Sequence, residues 1–113
     1  MRLAFSTVIK LSSPIQTNDI LTRLLNHAQT TVERDATYFL ALVDCLPWIE
    51  ADAVEFWLEQ IAFGLRGVSI GRKNEIVKRL WDVVSGEMGG EAGMKAAAWW
   101  VNGGHNRVLN PKL

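Results

Sequence analysis

Apolar residues return at helical spacing from one end of this chain to the other, and runs alternating with a strand's period of two are nearly absent. That pattern confines the chain to helix packed on helix. Thr17 or Asn18 is placed to cap a helix whose stripe is Ile20, Leu21, Leu24, Leu25 and Ala28, ending near Thr30. A second, from about Thr31 to Leu46, buries Ala36, Phe39, Leu40, Val43 and Leu46, and Pro47 stops it by disfavouring helical geometry in the preceding residue. Glu50, Asp52 and Glu55 then place negative charge in the first turns of a helix with the clearest stripe in the chain: Val54, Trp57, Leu58, Ile61, Ala62 and Leu65. After a joint bracketed by Gly67 and Gly71, Ser69 can cap a helix that turns Ile76, Val77, Leu80, Val83 and Val84 inward, with Gly86 as its C-terminal cap. A last helix, about Gly90 to Asn102, carries Met94, Ala97, Ala98 and Val101 on one side and ends at Gly103-Gly104.

The expected fold is therefore all-α, with five or six short amphipathic helices in an irregular bundle or in HEAT-like hairpins of about forty residues each. A length of 113 residues fits one domain. We place it over residues 1–103, followed by an extended C-terminal tail at 104–113, because the glycine pair breaks the last helix and Asn110-Pro111 cannot continue it. Residues 3–11 are apolar from the first step with no capping residue before them, as in the end of a longer helical-repeat protein. Lys10 interrupts that run early and no small-residue cleavage pattern precedes Pro14, which argues against a signal peptide. A membrane span needs about eighteen consecutive apolar residues and no stretch reaches that length, so attachment to a membrane would be peripheral.

Twelve Lys and Arg balance twelve Asp and Glu, so no long-range field draws in nucleic acid. Arg66, Arg72, Lys73, Lys78 and Arg79 are concentrated at one joint, but Trp81 is the only aromatic among them and a solvated helix face is the expectation. His27, His105 and the single cysteine, Cys45, show no metal-ligand spacing, so no metal is expected. His27 suits a solvated helix end, and Cys45, among Leu42, Val43 and Leu46, reads as a packed thiol rather than a nucleophile. The glycine-rich run from Gly86 to Lys95 lacks the spacing and the Ser or Thr of a phosphate loop and reads as an inter-helix joint. No cofactor is implied. An enzyme built on His105 would need a base, an orienting acid and an oxyanion device, and none accompanies it.

Two features point to partners. Five tryptophans are an excess in so short a chain, and Trp99 and Trp100, adjacent on a helix, point about 100° apart, so they cannot both face one core. Trp99 or Trp100 is the expected interaction surface. The final Pro111-Lys112-Leu113 is close to the Ser-Lys-Leu peroxisomal targeting signal, which a receptor reads as an exposed C-terminus.

The run Leu46-Pro47-Trp48-Ile49-Glu50, the segment Arg79-Leu80-Trp81-Asp82-Val83-Val84-Ser85-Gly86-Glu87-Met88, and Trp99-Trp100 followed by Gly103-Gly104 resemble the C-terminal helical region of the fungal peroxin eight family. The likeness spans residues 46–113. It implies a peroxisome biogenesis factor at the inner face of the peroxisomal membrane, linking receptor docking to the ubiquitin-ligase complex and engaging the cargo receptor. Members commonly end in a Ser-Lys-Leu-like tripeptide, which maps onto Pro111, Lys112 and Leu113. This chain departs in having proline for serine and in lacking the bulk of the family's length, which would make it a fragment, a truncated reading of a gene, or a short paralogue.

The expectation is a non-enzymatic helical interaction module of peroxisomal matrix-protein import. Its partners would be the cargo receptor and import-complex proteins, and its location the peroxisomal matrix or the lumenal face of the membrane. Lys112 and the Leu113 carboxylate would dock in a receptor groove, with Val108 and Leu109 adding contacts. The alternative is a generic helical-repeat scaffold, cytoplasmic, whose tripeptide is accidental.

Overall fold

The first helix, α1 (Pro14–Thr31), begins before its apolar stripe calls for it, because a capping box nucleates it. Ser13 Oγ accepts the Gln16 amide at 3.3 Å, and Gln16 Oε1 accepts the Ser13 amide at 3.0 Å. Pro14 follows at the first helical position, where its missing N–H costs nothing. The cap expected at Thr17 or Asn18 is thus displaced to Ser13. The computed structural model describes residues 13–109.

The helix expected over 31–46 is shorter. The Thr31 carbonyl takes the amides of Arg34 and Asp35 in a turn. The Asp35 carboxylate then accepts the Thr37 amide at 2.9 Å, so a side chain competes with the helical ladder and delays α2 to Thr37–Asp44. Pro47 ends it as expected, through a 3-10 turn at Leu46–Trp48. Helix α3 (Ala51–Gly64) buries every residue of its predicted stripe, from Val54 to Ala62, with Leu65 just beyond its end. Leu58 and Ile61 are fully enclosed, and each contributes about 1.5–3 kcal/mol relative to exposure.

Helix α4 (Ile70–Asp82) has Ser69 at its N-cap, but the Ser69 hydroxyl makes no capping bond. Its amide instead donates to Glu33 Oε1 at 2.7 Å, and Arg72 donates to the Glu33 and Arg34 carbonyls, tying α4 to the joint between α1 and α2. Gly86 is not a left-handed cap. The chain leaves α4 through a widened π turn at Val83–Glu87, and positive φ falls at Gly67, Gly90 and Gly103 instead.

Helix α5 (Gly90–Trp99) is shorter than expected and continues into a second π turn, Trp100–Gly104. Met94, Ala97, Ala98 and Val101 do share a side, and it is the solvent side: Met94 is 74% and Val101 80% exposed. Ala96 and Trp99 face the core instead. Gly93 lies in the first turn of α5, where a Cβ would stand 2.5 Å from the Met88 carbonyl oxygen, so the joint is closely packed.

Residues 104–109 correct the expectation of an extended tail. Gly103, at φ 115°, kinks the chain, and His105–Leu109 forms a short helix, α6. Val108 is fully buried in the core and therefore cannot add contacts to a receptor. Among the described residues the fold is all-α and no strand is present. A radius of gyration of 12.9 Å matches the value of about 13 Å for a compact chain of this size.

Candidate interaction site

Trp99 and Trp100 divide as two adjacent helical residues must. Trp99 is 6% exposed, its indole N–H donates to Glu59 Oε1 on α3 at 2.8 Å, and the Arg107 guanidinium of α6 donates to the same oxygen. Arg107 also sits over the Trp99 ring, with Cζ 5.5 Å from its centroid. The approach of α6 is possible because Gly104 has no side chain: a Cβ there would lie 2.4 Å from a Trp99 ring carbon. Trp99 is thus a structural hub and is removed from the interaction surface expected of it.

Trp100 is half-buried and faces outward beside Trp81 of α4. The Trp81 and Trp100 ring centroids lie 5.2 Å apart at 40°, and the His105 ring continues the stack at 5.0 Å and 46°. Trp81 is 47% exposed and His105 is exposed. Three rings from α4, the π turn and α6 therefore form one solvent-facing aromatic surface. Trp81 escapes a reading by apolar stripe because it follows Leu80 and adjoins the buried face. Its place four residues after Val77, at the stripe's edge, is the signal for a half-exposed ring.

The basic joint is not a simple solvated face. Lys73 is buried at 6% exposure, Arg72 is bonded to backbone carbonyls, and Arg79 forks between Asp44, at 2.8 Å, and Glu87. Arg66 stays exposed over Phe63, and Lys78 is exposed. Hydrogen bonding to Glu87 and then to Asp44, with their charges, holds the Arg79 guanidinium protonated well above its ordinary range.

Cys45 is fully enclosed, and burial, with a smaller push from Asp44, raises its thiol to about 12. His27 is exposed at α1, edge-on to Tyr38 with ring centroids 4.1 Å apart. Among the described residues no group of three His, Cys, Asp or Glu is gathered as a metal would require, and no helix is long and apolar enough to cross a membrane. Pro111, Lys112 and Leu113 lie outside the described residues.

Comparison with known proteins finds no family model, no curated protein and no solved structure that matches this chain.

Proposed function

We propose that this chain is a non-enzymatic α-helical interaction module of peroxisome biogenesis, contributing to matrix-protein import through the cargo receptor and import-complex proteins. The observation that carries the interaction reading is the outward stack of Trp81, Trp100 and His105. Large aromatic side chains anchor protein interfaces because they bring much contact area at small entropic cost. Val101 and Met94 are also exposed, but on another side of the helical run than Trp100, so they form a separate apolar surface.

The peroxisomal half of the reading rests on the resemblance over residues 46–113 and on Pro111-Lys112-Leu113. Standing as a chain terminus, Lys112 and the Leu113 carboxylate would enter a receptor groove, a recognised mode of peptide capture. On this reading the module works in the peroxisomal matrix or at the lumenal face of the membrane. The exposed aromatic stack equally serves a generic helical scaffold, which is the second reading.

One experiment separates them. The chain with a single residue appended after Leu113 should lose binding to the peroxisomal cargo receptor and lose its localisation. Unchanged binding would retire the peroxisomal reading. Paired Trp81→Ala and Trp100→Ala substitutions should abolish capture of the module's protein partner while leaving the fold intact by circular dichroism. Loss in that variant combined with indifference to the blocked tail selects the generic scaffold.

A further inference from the structure

Helix α6 reaches its place by a sharp reversal of the chain. Asn102 and Gly103 leave helical geometry, and Gly103 takes a φ of 115°, a conformation open to glycine and costly for any other residue. The helix that follows has five residues, too few to stand by itself, so α6 depends on its seat against α3 and α4. There Val108 is buried, Arg107 donates to Glu59 and lies over Trp99, and Gly104 fits against the Trp99 ring. The grip is incomplete. Arg107 Nε is buried without a hydrogen-bond partner among the described residues, and the ion pair to Glu59 is open to water, so Val108 does most of the holding. Just before the hinge, α5 carries Met94, Ala97, Ala98 and Val101 exposed along one side.

We infer that two copies of this chain exchange α6, each seating the other's helix in a two-fold dimer. What the seat accepts is already defined by its present occupant: a valine for the core site, preceded by an arginine for Glu59 and the Trp99 ring. The α6 of a second copy supplies the same groups, so exchange gives up none of these contacts. A hinge this short invites it, because opening the hinge releases the reversal and leaves the rest of the fold unchanged. The two chains cross at their hinges, beside the two-fold axis. Val101, one residue before the non-helical pair, therefore meets its counterpart there, and the exposed side of α5 gains a cover. The dimer forms against the cost of association, so it is concentration-dependent, and it forms slowly because α6 must first leave its own seat.

Charge reversal tests the exchange. Glu59→Arg and Arg107→Glu each set like charges against one another in the closed chain, whereas a dimer of one variant with the other regains opposite charges at both seats, and only by exchange. Size-exclusion chromatography with light scattering should show each variant alone as largely monomeric, and their equimolar mixture as a heterodimer favoured roughly tenfold or more over either homodimer. Both substitutions in one chain, which share the lost Trp99 acceptor but restore the contact internally, should bring no dimer beyond the wild-type level. A mixture of folded variants that stays monomeric would overturn the inference. Gly103→Ala leaves the seat intact and disfavours the reversal, so it should raise the association constant about tenfold or more. An unchanged constant overturns the exchange whatever the reversed pair shows. So does a wild-type dimer that assembles as fast as chains meet, ignores Gly103→Ala and is abolished by Val101→Lys, since closed chains would then be packing face to face.

Discussion

The Trp99 indole N–H and the Glu59 carboxylate, forty residues apart in sequence, meet at 2.8 Å and fasten α5 to α3. The same Glu59 oxygen accepts Arg107, so one carboxylate also secures α6. Trp99→Phe keeps an aromatic ring and deletes the donor. Loss of that hydrogen bond, about 1 kcal/mol, together with the space left by the smaller buried ring, should lower stability by about 2 kcal/mol or more and shift the urea midpoint without changing the slope. In a Glu59→Ala background the same substitution should cost less, because the two residues are coupled.

Gly104 lies against the Trp99 ring, and a Cβ there would sit 2.4 Å from it. Gly104→Ala should therefore destabilise by about 1–3 kcal/mol, the cost of overpacking a closed contact, and alter the near-ultraviolet dichroism of the tryptophans. Gly71 is the contrast, being in the first turn of α4 with nothing within 4 Å of where a Cβ would stand. Gly71→Ala should stabilise by about 0.4–1 kcal/mol through the entropy of the unfolded chain, read as a raised melting temperature.

Much of this organisation is written in the residues themselves. The α3 stripe from Val54 to Leu65 is buried as its spacing predicts, although Phe56 and Phe63, seven residues apart on the same helix, lie outside it and remain exposed. Helix α5 is different: Met94, Ala97, Ala98 and Val101 form as good a stripe as Ala92, Ala96 and Trp99. Hydrophobic spacing cannot choose between them; the fit of Trp99 to Glu59 and Gly104 does. Helix α1 begins early because Ser13 and Gln16 cap each other before the apolar pattern starts. Helix α6 has five residues, too few to show a period, and what holds it is Val108 in the core and Arg107 on Glu59. The aromatic stack is half legible, since the Trp99-Trp100 pair announces one outward ring, whereas its companion Trp81 comes from a different helix, nineteen positions earlier.

Cys45 gives a base-side prediction. Its thiol is raised from an ordinary value of 9.0 to about 12, so between these values the folded chain retains a proton that the unfolded chain releases. This contribution is complete below pH 9 and is lost as pH rises towards 12, with a limiting slope of about 1.4 kcal/mol per pH unit. Urea melts across that window should show the slope, and Cys45→Ala should lack this part of it. In native protein at neutral pH the thiol should resist alkylation and react on unfolding.

Acid acts at the joint between α1 and α2. Ser69, through its amide and then its hydroxyl, holds the Glu33 carboxyl below its ordinary value, with Arg72 adding to the effect. Thr37, hydroxyl first and then amide, does the same for Asp35. A lowered carboxyl stabilises the fold above its unfolded value and ceases to do so as pH falls through the folded one. The tie between α4 and the joint before α2 should therefore loosen below about pH 4. Protection of the Ser69 amide, measured against the intrinsic exchange rate at each pH, should fall there, and Glu33→Gln should show the lower protection already at neutral pH.

The forked Arg79 has a bearing on how the chain can be dissected. It reaches back thirty-five residues to Asp44 and forward eight to Glu87, so the two would-be hairpins share one guanidinium at their seam. A solenoid repeat can be excised, duplicated or shuffled because each unit carries its own stability and touches only its neighbours. Here neither half owns the whole of the contact that closes it. A cut between α2 and α3 would take the Arg79 cation from one piece and the Asp44 carboxylate from the other, and the molecule would melt as a single cooperative unit rather than repeat by repeat.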